Sequence, residues 1–129
     1  ARPDVPICGN GRSGEGDAVT ACWLVSGGHV LASAERADDR RARAHGLLGR
    51  DGLEGALVIT KCRSVHTIGM RFDLDVAYLA ADGTVLKIVH MRRNRIGAPV
   101  WKAAMVVEAA SGAFERWGLQ VGDQVELRE

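Results

Sequence analysis

Aromatic residues are scarce in this chain, at 5% of 129 positions, and proline occurs only three times. So few rings leave little material for the stacking platforms that hold single-stranded nucleic acid. An excess of either charge is also missing. Seventeen basic residues stand against sixteen acidic ones, a formal +1. That balance gives no chain-wide steering toward nucleic acid or a membrane, so neither partner is expected. No run approaches the ~18 consecutive apolar residues of a transmembrane helix. Cysteine is limited to Cys8, Cys22 and Cys62, an odd number without a C-x-x-C pair, which argues against a disulfide framework. The N-terminus has no basic segment followed by an apolar one, so no signal peptide is visible and a cytoplasmic protein is expected. The chain starts with Ala rather than Met, which also fits a processed or trimmed end.

What is present is ordinary for one soluble globular domain: 47% hydrophobic and 26% charged residues. Residues 1–17 are rich in Pro and Gly without periodicity and read as a flexible arm; residues 18–129 read as a single domain. Two short apolar runs flank Gly27-Gly28, the pattern of a β-hairpin. Residues 35–48 are rich in Ala and Arg, lack proline and end at Gly49, which predicts a helix. Residues 56–60 form an apolar run. Leu74, Val76 and Tyr78 alternate with Asp75, Ala77 and Leu79. Asp82-Gly83 then signals a second hairpin, with its return strand over 84–89. Residues 92–99 form a basic loop, and 103–109 another strand. A short helix over 111–117 is predicted, with Ser111 as cap and Gly118 as end. Gly122-Asp123 introduces a last strand. Six to eight short strands with one or two short helices make a mainly β domain, a sandwich or barrel.

Several segments resemble a known family. His45-Gly46-Leu47-Leu48-Gly49-Arg50 is similar to the GLM-x-R signature of the prokaryotic family called domain of unknown function 192. Residues Cys62 to Phe72, with His66-Thr67 and Gly69-Met70 inside, resemble its actinobacterial-like variant. Leu74-Asp75, Asp82-Gly83, Val107-Glu108 with Gly112, and Gly122-Asp123 follow in the family's order. The resemblance spans about residues 40–127. One departure is Asp73, where the family usually has proline. The resemblance implies a compact, mainly β fold and no particular activity.

Asp75 and Glu108 lie inside apolar strand sequence, where a carboxylate is costly without donors. If the family signatures converge on one site, Arg50, His66 and Thr67 are the expected donors. Arg50, His66, Thr67, Asp75 and Glu108 then frame a polar cleft, with Arg50 on an anionic group and His66 and a carboxylate orienting a polar ligand. The structural alternative is a buried network that fixes the fold, the commoner use of such groups. Cys62 and His66 lie about 13 Å apart if extended, too far for a nucleophile–base pair unless a turn intervenes. The four histidines and three thiols show no strong metal-ligand spacing, so no metal or other cofactor is expected. Two arginine-containing clusters, 36–50 and 87–95, read as solvated faces rather than a nucleic-acid stripe. The expected function is a binding or accessory module for a small molecule or protein partner. A small acid–base enzyme using a His and carboxylate pair is the alternative, and a nucleic-acid-binding regulator the weaker one. Whether the chain is an enzyme is left open by the sequence.

Overall fold

The computed structural model describes residues 6–8, 19–37 and 53–129. The first hairpin forms where the glycines predict it. Gly27 and Gly28 both take positive φ, 59° and 80°, as a tight turn between β2 (Val19–Ser26) and β3 (His29–Ala37) requires. Three residues of the expected arm, Pro6–Cys8, form β1 and pair in parallel with β3.

One expectation is overturned at its start. Glu35, Arg36 and Ala37 belong to β3 and not to a helix. They are laddered to β2 on one side and to β4 (Ala56–Thr60) on the other. Ladder partners on both edges outweigh the helix propensity of Ala and Arg, which is worth less than about 1 kcal/mol per residue. The remainder of that predicted helix, and Arg50, lie outside the described residues.

Four more strands follow: β5 (Leu74–Leu79), β6 (Val85–Met91), β7 (Met105–Ala110) and β8 (Val125–Arg128). The sheet runs β6-β5-β7-β4-β3-β2-β8, with β1 off the path. It curls until its two ends meet. Thr84, before β6, bridges Gln124, before β8, and Val85 N–H donates to the Asp123 carbonyl at 2.9 Å. The architecture is therefore mainly β and barrel-like, a curled sheet with one short helix. Gly83 makes the closure possible. Its φ is 92°, and a Cβ there would collide with the Val125 carbonyl. Asp82 supports the same turn, its Oδ1 accepting from Thr84 N–H at 3.0 Å.

Strand β5, between β6 and β7, is buried at all six positions. Its alternating side chains serve two different cores. Leu74, Val76 and Tyr78 face a layer made of two loops, 61–73 and 92–104, where Gly97 approaches the Tyr78 hydroxyl. Asp75, Ala77 and Leu79 face the other way, toward α1 (Ala113–Trp117). Along the row of Asp75 the register continues through Ala109, Ala56 and Ala34. Small side chains there leave room for α1, which buries Ala113 and Phe114. No helix among the described residues is long and apolar enough to cross a membrane.

Candidate functional site

Asp75 is nearly buried, and each of its oxygens is engaged. Oδ2 accepts from Gly112 N–H at 3.0 Å and from Phe114 N–H at 3.3 Å. These are donors at the start of α1, which no local side chain caps. The N-cap position is Gly112, not the expected Ser111. The cap arrives from β5, 37 residues upstream. Oδ1 lies 3.1 Å from His90 Nδ1. A carboxylate only accepts, so Nδ1 carries the hydrogen of this contact. The His90 side chain is 50% exposed. His90 was not singled out in the sequence for this role. It joins Asp75 because β6 pairs with β5 in the register Asp75↔His90.

Glu108 does not join this pair. Asp75 stands opposite Ala109, and Val76 opposite Glu108, so the two carboxylates point to opposite faces of the sheet. Glu108 is 4% exposed, between Leu57 and Val76 in its row. Half-buried Glu35 follows in the same row, beyond Leu57.

Thr67 and His66 belong to the loop layer. Thr67 is fully buried, and its hydroxyl donates to the Arg92 carbonyl at 2.6 Å while accepting from Arg95 N–H at 2.9 Å. Its own carbonyl accepts from Met70 and Asn94 N–H. Thr67 thus pins one loop to the other. His66 bridges Ile96 across the same pair of loops and is exposed. Thr67 N–H to Arg95 O and Gly97 N–H to Val65 O flank that bridge, so His66 and Ile96 stand side by side outside while Val65 and Thr67 point in. Cys62 is buried, with Sγ donating to the Ser64 carbonyl at 3.1 Å, and forms no dyad with exposed His66. Of the five expected site residues, the structure separates Asp75, Glu108 and the His66–Thr67 pair, and Arg50 is not described.

A concave surface lies elsewhere, where β3 and the segment before β4 diverge. Two adjoining clefts, of about 300 Å³ and 400 Å³, share Ser33 and Glu54. Trp23 and Glu35 line the first. Arg116 and Trp117, at the far end of α1, line the second. Gly55 holds this corner with φ 74°, because a Cβ there would collide with the Ser33 carbonyl. Among the described residues neither Glu54 nor Arg116 has an ion-pair or hydrogen-bonding side-chain partner, so the cleft carries a carboxylate and a guanidinium that do not neutralise each other. Among the described residues no group of three His, Cys, Asp or Glu side chains could hold a metal ion.

Comparison with known proteins agrees with the fold. Residues 23–127 match the model of domain of unknown function 192, described as an uncharacterized ACR family. No curated protein matches the sequence. Two solved structures are similar. A Novosphingobium aromaticivorans protein of unknown function is 19% identical, with a TM-score of 0.67 over 84% of each chain. A Sinorhizobium meliloti protein, described as a candidate transcription regulator, is 24% identical, with a TM-score of 0.70 over 85% of this chain and 94% of that one. At these identities the likeness concerns the fold alone.

Proposed function

The chain belongs to the domain of unknown function 192 family, a membership that carries no activity with it, and from that premise we propose that it is a binding module for a small zwitterionic molecule of the amino-acid type. The observation that carries this reading is the cleft at Ser33, Glu54, Arg116 and Trp117. Its volume falls in the range of small-ligand sites. Glu54 and Arg116 offer opposite charges for an ammonium and a carboxylate, and the indole of Trp117 offers an apolar wall. Asp75 takes part indirectly. By holding the first turn of α1 it fixes the helix whose other end forms the wall, so the cleft is set before a ligand arrives.

The test is titration of the protein with each free amino acid while following amide and indole N–H signals. A saturable change confined to Ser33, Glu54, Gly55, Arg116 and Trp117 supports the reading. Glu54→Gln and Arg116→Gln should each weaken binding roughly tenfold or more, as loss of a charge-assisted hydrogen bond does. Silence across the panel, or binding indifferent to both variants, rejects it.

A second reading rests on the Asp75–His90 pair. A carboxylate that orients a half-exposed imidazole is an arrangement a general base can use. On that reading a compound is consumed, not merely bound, and His90→Gln abolishes its consumption.

A further inference from the structure

The near-neutral sum of the chain hides a strongly uneven distribution. Residues 61–73 and 92–104 together hold seven Lys or Arg and one acid, Asp73, a local +6. The remainder of a chain with total +1 therefore carries −5. The two segments are distant in sequence but form one layer. Thr67 N–H donates to Arg95 O, Gly97 N–H to Val65 O and Val100 N–H to Arg63 O, each at 2.8 or 2.9 Å. Lys61, Arg63, Arg92, Arg93, Arg95 and Lys102 are all exposed, and among the described residues none is in an ion pair.

Apolar side chains stand out from the same layer. Ile96 is 78% exposed, Trp101 73% and Ile68 51%, although Val65, Thr67 and Met70 beside them are buried. Residues 96–101 read Ile-Gly-Ala-Pro-Val-Trp, a run without charge or side-chain amide, framed by Arg95 and Lys102. The loop is held rigidly below its tip by the Thr67 hydroxyl, so these side chains are exposed by a fixed backbone. An isolated exposed apolar residue needs no explanation, but three on one layer among seven exposed cations form a surface with a defined chemistry.

We propose that this layer docks the protein on the surface of a bilayer containing anionic phospholipid. Ile68, Ile96 and Trp101 would enter the boundary between headgroups and acyl chains, where tryptophan is favoured. The surrounding Arg and Lys side chains would meet the lipid phosphates. Nucleic acid also attracts cations, but two protruding isoleucines have no partner on a phosphate backbone, and Trp101 is the one exposed Trp, Tyr or Phe of the layer. The contact is peripheral and is independent of the cleft beside α1.

Co-sedimentation with vesicles tests it. Vesicles of phosphatidylcholine with 30–40% phosphatidylglycerol, roughly the composition at which cation-rich surfaces bind, should carry the protein down, and pure phosphatidylcholine should not. Arg92→Gln and Arg95→Gln should each weaken binding roughly fivefold. The triple change Ile68→Ser, Ile96→Ser and Trp101→Ser should abolish it at the same lipid concentration. All these side chains are exposed, and unchanged thermal unfolding confirms that each variant folds. Equal binding to both vesicle types, no binding to either, or retention by the triple variant would overturn the proposal. So would tighter binding to an oligonucleotide than to the anionic vesicles, with the triple change leaving it intact.

Discussion

The Asp75 corner and the loop layer above the other face of β5 handle charge in opposite ways. At the corner one carboxylate meets two backbone N–H groups and an imidazole, and almost none of it reaches solvent. In the layer seven cations stand exposed, six of them in no ion pair among the described residues, while the fully engaged hydroxyl of Thr67 lies buried beneath them. A buried polar group must be paired by the fold itself, because water is not there to do so. A surface charge has no such requirement and remains available to something outside the molecule. The corner therefore ties α1 to β5, while the layer and the cleft keep charge available to a partner.

Substitution can break this contrast. The largest effect is expected from Asp75→Ala, which leaves two N–H groups of α1 without their acceptor and frees His90. A loss of about 2–4 kcal/mol is expected in urea denaturation. Arg92→Gln should change the same measurement by less than about 0.5 kcal/mol, as remote surface changes do. An Asp75→Ala variant as stable as Arg92→Gln would erase the distinction between the two regions.

Thr67→Val sharpens the contrast within the layer. It keeps the shape and removes a hydroxyl that both donates and accepts, so about 1–3 kcal/mol should be lost. Amide exchange should rise at Asn94, Arg95 and Gly97 before it rises in β5 or β7, since local opening follows local bonding. Uniform acceleration over the whole sheet would mean that the loops are not a separately stabilised unit.

The smallest effect concerns Asp82, at the tip of the β5–β6 hairpin. The Thr84 backbone N–H, and with it the Thr84 hydroxyl, holds the Asp82 carboxyl below its ordinary range. A group whose folded value is depressed stabilises the fold above its unfolded value and loses that contribution as pH falls through the folded one. Comparison with Asp82→Asn should therefore show a small stability advantage for the native residue at neutral pH, fading below the usual carboxylate range. Because the side chain is exposed, solvent keeps the advantage slight.

Local chemistry was readable in the sequence; pairing across distance was not. Gly27-Gly28 and Asp82-Gly83 announce their hairpins because turn geometry depends on the residues in the turn. Gly118 ends α1 for the same reason, with φ 72°. The start of α1 was misread because its cap comes from Asp75, another strand. Residues 35–37 were misread because their neighbours in β2 and β4 decide their conformation. Asp75 and Glu108 both announce themselves as carboxylates in apolar strands. Only the β5–β7 register shows that they face apart, and only the β5–β6 register brings His90 to Asp75. The basic loop at 92–99 was visible in the sequence, but not its pairing with residues 61–73, which turns a stretch of chain into a surface.

The meeting of Thr84 and Gln124 governs the order in which the molecule can assemble. The β2–β3 hairpin and the β5–β6 hairpin need only neighbours in sequence and can form early. The curl closes only when β8 lies along β2, about a hundred residues away, with its first residues against the Gly83 turn. Until then the edge at Trp23–Ser26 offers unpaired N–H and C=O groups to any other extended chain. A chain stopped before Val125 would keep that edge permanently open. β8, four residues long, thus covers this edge of β2 and brings the residues before it against the turn that precedes β6.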